Sequence, residues 1–310
     1  MRALVSGGAG FLGSHLVDAL LARGDEAVVL DHRLRGKALP EASLARVRGV
    51  EADVCDPIAV REAAQGCSLI FHCAAMVGIA AYSGQPARTM ETEESGLRNV
   101  CAAARRAGAK VVYASSSAVY GRAGGSIALD ETLAVSPESN YGTAKRFGEL
   151  YLAAQNAENG LRSAALRIFN MYGPRQDHRL VIPRFIGHAM EGRPIEVYGD
   201  GAQTRDFVFV ADVVAAALAM ADRVSGCEVV NACSGQETSV RVLAEAIVKL
   251  TGSKSDIVSR PMPDNRTTFE VDRCYGSRAK LQRIAGRFDP VPLETGLART
   301  ISHIRACRAG

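Results

Sequence analysis

No apolar run in this 310-residue chain approaches the ~18 residues that a membrane span needs, so no transmembrane segment is expected. The eight cysteines, at positions 55, 67, 73, 101, 227, 233, 274 and 307, form no C-x-x-C pair, and no His/Cys cluster has zinc-like spacing. A metal site is therefore not expected, and the cysteines read as small hydrophobes in a reducing cytoplasm. A basic stripe is also missing: the formal charge of +4 is small for the length and its residues are scattered, which argues against nucleic acid as a partner. The opening Met1-Arg2-Ala3-Leu4-Val5-Ser6 runs straight into a strand and a glycine turn. That leaves no room for a signal peptide and predicts a cytoplasmic protein. Internal repeats, low-complexity tracts and long linkers are absent as well.

What remains is an ordinary globular composition, 47% hydrophobic and 23% charged. Short apolar runs alternate with helical stretches through the first half. Ala3-Leu4-Val5 precedes a helix over about Phe11–Ala22, and Ala27–Leu30, Leu69–Phe71, Val111–Ala114 and Ala164–Ile168 continue the series. Apolar strands separated by helices predict a parallel sheet covered on both faces, a doubly wound α/β (Rossmann) fold. After about Phe169 the rhythm breaks at Pro174, Pro183, Pro194 and the Gly199-Asp200-Gly201 turn. The expected division is residues 1–168 as a dinucleotide-binding domain and 169–310 as a smaller α/β substrate lobe, with part of 206–235 returning to the first sheet. In that second part Val208-Phe209-Val210 and Val229-Val230-Asn231 read as strands, and Ser239–Leu250 as a capped helix.

Between the first strand and the first helix lies Gly7-Gly8-Ala9-Gly10-Phe11-Leu12-Gly13. Gly8, Gly10 and Gly13 fit G-x-G-x-x-G, and Gly7, Gly10 and Gly13 fit G-x-x-G-x-x-G equally well. Either spacing lets the backbone turn through positive φ and approach a pyrophosphate, while the helix N-terminus supplies N–H donors. Asp31 ends the second strand where a carboxylate would accept from the adenosine ribose, with His32 and Arg33 beside it. Arg33 and Arg35 complicate the choice, since arginines there can hold a 2′-phosphate. Asp53-Val54 and Cys73-Ala74-Ala75 follow the next two strands as walls for adenine and ribose.

Tyr141-Gly-Thr-Ala-Lys145 sets a phenol and an ammonium one helical turn apart on one face. A lysine charge favours the phenolate and brings a weak base toward working pH. Alone, Y-x-x-x-K is a frequent coincidence. It gains meaning after a strand ending in Ser115-Ser116-Ser117, because strand ends in this fold face the cofactor crevice.

Together, the glycine turn, Ser115-Ser116-Ser117-Ala118-Val119-Tyr120-Gly121 and Tyr141-x-x-x-Lys145 resemble the extended short-chain dehydrogenases, in their sugar-nucleotide epimerase/dehydratase branch. Leu166–Pro174, Gly199–Phe207 and Asn231–Gly235 extend the resemblance over nearly the whole chain. The resemblance implies NAD as cofactor, a nucleotide-sugar substrate and a homodimer built on helices near 87–107 and 141–159. It implies that Ser116 binds the reacting sugar oxygen, that Tyr141 is the base, and that Lys145 tunes it and holds the nicotinamide ribose. Phe169 falls at the nicotinamide end, and Ser117 beside the substrate. Asn170 and Arg205 fall on the diphosphate, Tyr198 on the base ring. A further arginine is expected before Asp272, Arg266 in preference to Arg260; the loop from Met76 to Tyr82 is expected to face the sugar.

Two positions depart from the family pattern. Glu93 stands where asparagine is common, which puts one cofactor-supporting contact in doubt. Ala118 stands where dehydratases and decarboxylases usually carry an acid. The expected reaction is therefore C4 epimerisation of a UDP-hexose through a 4-keto sugar, as in UDP-glucose 4-epimerases. The alternatives are a 4,6-dehydratase, a decarboxylase, a 4-keto-sugar reductase or, more distantly, a non-catalytic dinucleotide-binding regulator.

Overall fold

The computed structural model of the chain describes residues 1–75, 86–123, 127–262 and 271–309. Residues up to Ile168 supply β1 (Arg2–Ser6), β2 (Glu26–Asp31), β3 (Arg48–Glu51), β4 (Leu69–His72), β5 (Lys110–Ser116) and β6 (Ser163–Ile168). Shorter strands follow: β7 (Asn170–Tyr172), β8 (Ile195–Tyr198), β9 (Thr204–Arg205), β10 (Phe207–Phe209), β11 (Cys227–Ala232), β12 (Thr238–Ser239), β13 (Ile257–Arg260) and β14 (Arg273–Cys274). Among the described residues the main sheet has seven strands in the order β11-β6-β5-β4-β1-β2-β3, every pairing parallel. The doubly wound parallel sheet expected from the sequence is thus present.

Continuous apolar strands form here because both faces are covered. Side chains alternate across the sheet: Ala3 and Val5 pack with Leu16 of the Phe11–Ala22 helix and Val213 of the Val210–Arg223 helix. Leu4 points the other way, into a core shared with Val60, Leu97 and Leu152. These three come from the helices Pro57–Ala63, Pro86–Ala107 and Asn140–Asn159. The first of them starts at Asp56, whose carboxylate accepts from the Ile58 and Ala59 amides, with Pro57 at the first helical position.

From β1 the chain builds outward through β2 to β3, then crosses back to place β4 on the other side of β1. The order reverses at this point, which opens a crevice at the carboxyl ends of β1 and β4. β11 adds to the far edge in parallel register with β6, Cys227 opposite Ser163 and Ala232 opposite Ile168. Outside this sheet, among the described residues, lie three small ones, β10-β7, β12-β9-β14 and β13-β8.

One boundary differs from the sequence reading. Val208-Phe209-Val210 was expected to be strand throughout, but β10 stops at Phe209 and Val210 begins the helix Val210–Arg223. The buried set Val210, Val213, Val214 and Ala217 has helical spacing, and a three-residue apolar run cannot reveal which period it opens. The Ser239 cap is present, its hydroxyl accepting from the Val242 amide at 3.1 Å at the start of Val240–Thr251.

Candidate functional site

The glycine turn closes against the loop that follows β4. Gly7 has φ +71°, and a β-carbon there would sit 2.6 Å from the Ala74 amide nitrogen. At Gly13 a β-carbon would lie 2.2 Å from the Gly7 carbonyl oxygen. These contacts require glycine, and the one at Gly7 brings Cys73 and Ala74 against the turn; Cys73, Ala74 and Ala75 are all half-buried. Gly10 caps the Phe11–Ala22 helix without any side-chain hydrogen bond, so the amides of Phe11, Leu12 and Gly13 are left without a side-chain cap to compete with an external anion. Asp31 is buried beside the turn: Oδ2 accepts from the Ala9 amide at 3.1 Å, and Oδ1 takes the Lys37 ammonium at 2.6 Å. His32 and Arg33 are exposed next to it. Asp53 is exposed and caps its own turn through the Cys55 amide, whereas Val54 is buried against Gly96. A cradle that any β-carbon would fill, an uncapped helix start and a carboxylate fixed above them fit a dinucleotide.

Ser116 ends β5, buried, and its hydroxyl accepts from the Ala118 amide at 3.2 Å. Residues Ser117–Tyr120 form a single 3₁₀ turn, with Ser117 and Ala118 half-buried. The helix Asn140–Asn159 starts at Ser139, whose hydroxyl accepts from the Gly142 amide at 3.1 Å. A β-carbon at Gly142 would sit 2.6 Å from the Ala118 carbonyl oxygen, so glycine lets this helix start approach the turn. Ser116, Ala118 and Tyr141 are thereby gathered at one end of the sheet. One helical turn on, Lys145 is buried, with Nζ 5.6 Å from the centre of the Tyr141 ring.

Lys145 does not enter the crevice alone. Nζ donates to Glu93 Oε2 at 2.8 Å and lies 2.8 Å from Oε1 as well, while the Tyr113 hydroxyl donates to the same Oε2 at 3.1 Å. Burial works against the ammonium, yet Glu93 and Tyr141 raise the lysine above its ordinary value. Position 93, expected from the sequence only to lose a cofactor contact, has gained an ion pair with the candidate catalytic lysine.

Behind this pair a second buried network anchors the helix to the sheet. Glu149 accepts from Arg167 Nε and Nη2 at 2.8 Å each, from the Ser115 hydroxyl at 2.8 Å, and from Arg146 at 3.0 Å. Arg167 also lies over the Tyr120 ring, whose hydroxyl donates to Asn231 Oδ1 at 2.8 Å. Ser115, Tyr120, Arg167 and Asn231 lie inside motifs quoted from the sequence without a role assigned to them, and Glu149 and Arg146 lie in none. Only the i, i+4 spacing of Lys145 and Glu149 on one helix face hinted that both point at the sheet.

The substrate candidates lie on the strands that follow. Phe169 is buried, its ring so near Gly276 that a β-carbon there would lie 2.7 Å from it. Asn170 opens β7 and is exposed; its amide donates to the Asp206 carbonyl. Tyr198 ends β8, half-buried, and Arg205 ends β9, its Nη1 donating to the carbonyls of Thr204 (2.6 Å) and Val271 (2.7 Å). Arg260 is exposed and pairs with Glu196 at 2.8 Å. Arg266, and the loop from Met76 to Tyr82, lie outside the described residues.

Asp206 was missed by the motif reading. Fully buried, it accepts from the Ser234 amide and hydroxyl at 2.7 Å, from the Gly235 amide at 2.9 Å and from the Gly276 amide at 3.2 Å. It ties the loops after β11 and β14 to β9–β10, which fixes the strand that carries Arg205. Its place inside the Gly199–Phe207 motif was the one available signal. All eight cysteines are free. Among the described residues no His/Cys/Asp/Glu group could hold a metal, and no helix is long and apolar enough to cross a membrane.

The model of the NAD dependent epimerase/dehydratase family matches residues 3–233. A UDP-N-acetyl-alpha-D-glucosaminuronate decarboxylase of Bacillus cytotoxicus is 33% identical over 98% of this chain and 98% of its own length. A UDP-glucose 4-epimerase of Mycolicibacterium smegmatis is 34% identical over 98% of this chain and 99% of its own. Among solved structures, the UDP-glucose 4-epimerase of Thermotoga maritima with UDP-glucose superposes with a TM-score of 0.92 at 30% identity, covering 99% of this chain and 100% of that one. The glycine cradle, the Ser116/Tyr141/Lys145 cluster and these likenesses lead to one conclusion: the chain belongs to the NAD-dependent epimerase/dehydratase family of extended short-chain dehydrogenases.

Proposed function

We propose that the chain is a UDP-hexose 4-epimerase. The observation that carries this reading is Ala118, a methyl group in the turn between Ser116 and the helix bearing Tyr141. The epimerase, dehydratase and decarboxylase reactions all begin by oxidising C4 of the sugar, for which Ser116, Tyr141 and Lys145 suffice. Removing water across C5 and C6 needs in addition a base at C5 and an acid at the leaving oxygen, and a methyl group can be neither. Ser117 offers only a hydroxyl. The segment Met76 to Tyr82, which the sequence reading turns toward the sugar, contains no Asp or Glu.

In this reading Ser116 holds the C4 hydroxyl, and Tyr141 takes its proton as the 4-keto sugar forms. The keto sugar turns over between the walls of the pocket, and Tyr141 returns the proton to O4 with the configuration inverted. Arg205 and Asn170 hold the diphosphate throughout, so that rotation occurs about a fixed anchor. Bound NAD supplies a reversible hydride acceptor. Gly7, Gly10, Phe11, Leu12 and Gly13 would hold its pyrophosphate, Asp31 and its neighbours the adenosine ribose, and Tyr141 with Lys145 the nicotinamide ribose. A homodimer belongs to the same reading. It would form on the helices Pro86–Ala107 and Asn140–Asn159, where Leu150 is exposed and the Phe147 and Tyr151 rings stack at 5.7 Å.

The relative from Bacillus cytotoxicus favours a second reading, decarboxylation of a UDP-hexuronate. One experiment separates the two: incubation in D₂O with UDP-glucose, UDP-galactose, their N-acetyl forms and UDP-glucuronate, with products read by NMR and mass spectrometry. Epimerisation returns unchanged mass, inverted C4 and no solvent deuterium. Loss of carbon dioxide or water, or deuterium at C5 or C6, would overturn it in favour of the decarboxylase or dehydratase.

A narrower expectation concerns Asp31. Its carboxylate should accept from the ribose hydroxyls and repel a 2′-phosphate, despite Lys37 at 2.6 Å and Arg33 beside it. Calorimetry on Asp31→Ala should show weaker NAD binding and a smaller preference over NADP; an unchanged preference would remove Asp31 from that role.

A further inference from the structure

We propose that Glu93 is a positioning residue for Lys145, whose carboxylate sets how strongly that lysine acidifies Tyr141, so that the site works at higher pH than it would with an uncharged residue at 93. The inference rests on reading Tyr141 and Lys145 as the proton-handling pair, but not on which sugar is turned over.

Glu93 sits on the inner face of the helix Pro86–Ala107 and is 1% exposed. Both carboxylate oxygens lie 2.8 Å from Nζ, and among the described residues Oε1 takes no hydrogen bond. The carboxylate is therefore committed to the ammonium through charge, in a place where water does not screen it. Room for the arrangement comes from Gly148: a β-carbon there would lie 2.6 Å from the Tyr113 ring, whose hydroxyl donates to Glu93 and whose centre lies 4.9 Å from Nζ.

The other titratable groups facing Lys145 do not offset this charge. From the end of β4, burial and the Lys145 charge push His72 down to about 3, and burial pushes Cys73 up to about 12. From β5, burial and the Glu93 carboxylate hold Tyr113 well above its ordinary range. All three are neutral at working pH. On the helix of Lys145 itself, Glu149 is taken by Arg146 and by Arg167 of β6. Among the described residues, Glu93 is left as the counter-charge of the ammonium. An ammonium so neutralised stabilises a nearby phenolate less, and the carboxylate disfavours that phenolate directly. Both effects have the same sign.

The test uses NAD-loaded protein and Glu93→Gln, which keeps the shape and removes the charge. The tyrosinate titration of Tyr141 is isolated as the absorbance difference from Tyr141→Phe in each background. Its midpoint should fall by about 1–3 pH units in Glu93→Gln, and the pH profile of kcat should move the same way. Should Glu93→Gln fail to fold, Glu93→Asn, the residue common at this place in the family, carries the same expectation. A midpoint that stays put or rises, even with a lowered melting temperature, reduces Glu93 to a structural ion pair and overturns the proposal. A midpoint that falls in a protein inactive on every UDP-sugar would sink the epimerase reading and leave this one standing.

Discussion

Tyr141→Phe should lower kcat by about 10²–10⁴-fold, the range that a positioned general acid or base contributes. Only one oxygen is removed, from a half-buried ring at the start of a helix whose capping is supplied by Ser139. The melting temperature and the affinity for the nucleotide sugar should therefore change little, and the loss should fall on kcat with KM nearly constant. The size of the effect follows from what is left behind. Ser116 accepts from the Ala118 amide and can hold a sugar hydroxyl, but as an alcohol it has no charge state with which to keep a proton near neutrality. Lys145 is committed to Glu93 at 2.8 Å and cannot serve as the base while it carries its proton. No other described group at the end of β5 is placed to take over. Steady-state kinetics of the variant within a few-fold of the parent would show that Tyr141 is not the proton acceptor, whatever reaction the enzyme performs.

Glu149→Ala should cost about 3–5 kcal/mol of stability, because it breaks a buried ion pair by removing one partner. Arg167 lies 3% exposed inside the sheet, and both nitrogens that it directs to Glu149 at 2.8 Å would lose their acceptor without gaining water. The Ser115 hydroxyl would lose its own acceptor too. Arg146 is partly exposed and can turn to solvent, so it adds little. Glu149→Gln, which keeps the volume and one acceptor oxygen, should lose less. Urea denaturation of the two variants checks this. A cost below about 1 kcal/mol in Glu149→Ala would put the pair with exposed ion pairs, which contribute almost nothing. Stability and chemistry meet here, because Ser115 precedes Ser116 on β5 while Glu149 sits one turn beyond Lys145. The network thus fixes the strand end and the helix relative to each other.

How far the sequence could reach differs from residue to residue. The glycine turn was legible because a tight strand-to-helix turn and a close backbone approach both demand missing β-carbons, and the requirement is local. The strands β1, β2, β4, β5 and β6 were legible because burial on both faces writes a continuous apolar run. Tyr141 and Lys145 were legible because four residues on one helix is one turn. Asn170, Tyr198 and Arg205 could be named only through motifs shared with a family. Their placement depends on the short strands β7, β8 and β9, whose pairing no local pattern encodes.

Long-range electrostatics lay beyond the sequence. Glu93 and Lys145 are separated by 52 positions, Glu149 and Arg167 by 18, and Asp206 and Gly276 by 70. Glu93 looked like a missing asparagine, and nothing in its neighbourhood along the chain announces a cation. Helices that cross one face of a sheet bring such residues together, and burial then decides that each must find a partner or lose its charge. The sequence by itself determined the parallel sheet, the glycine turn and the spacing of Tyr141 and Lys145 on one helix face, since each follows from spacing within one or two elements. The tertiary structure alone decided which carboxylate faces the lysine, because that depends on how the helices Pro86–Ala107 and Asn140–Asn159 pack over β4 and β5.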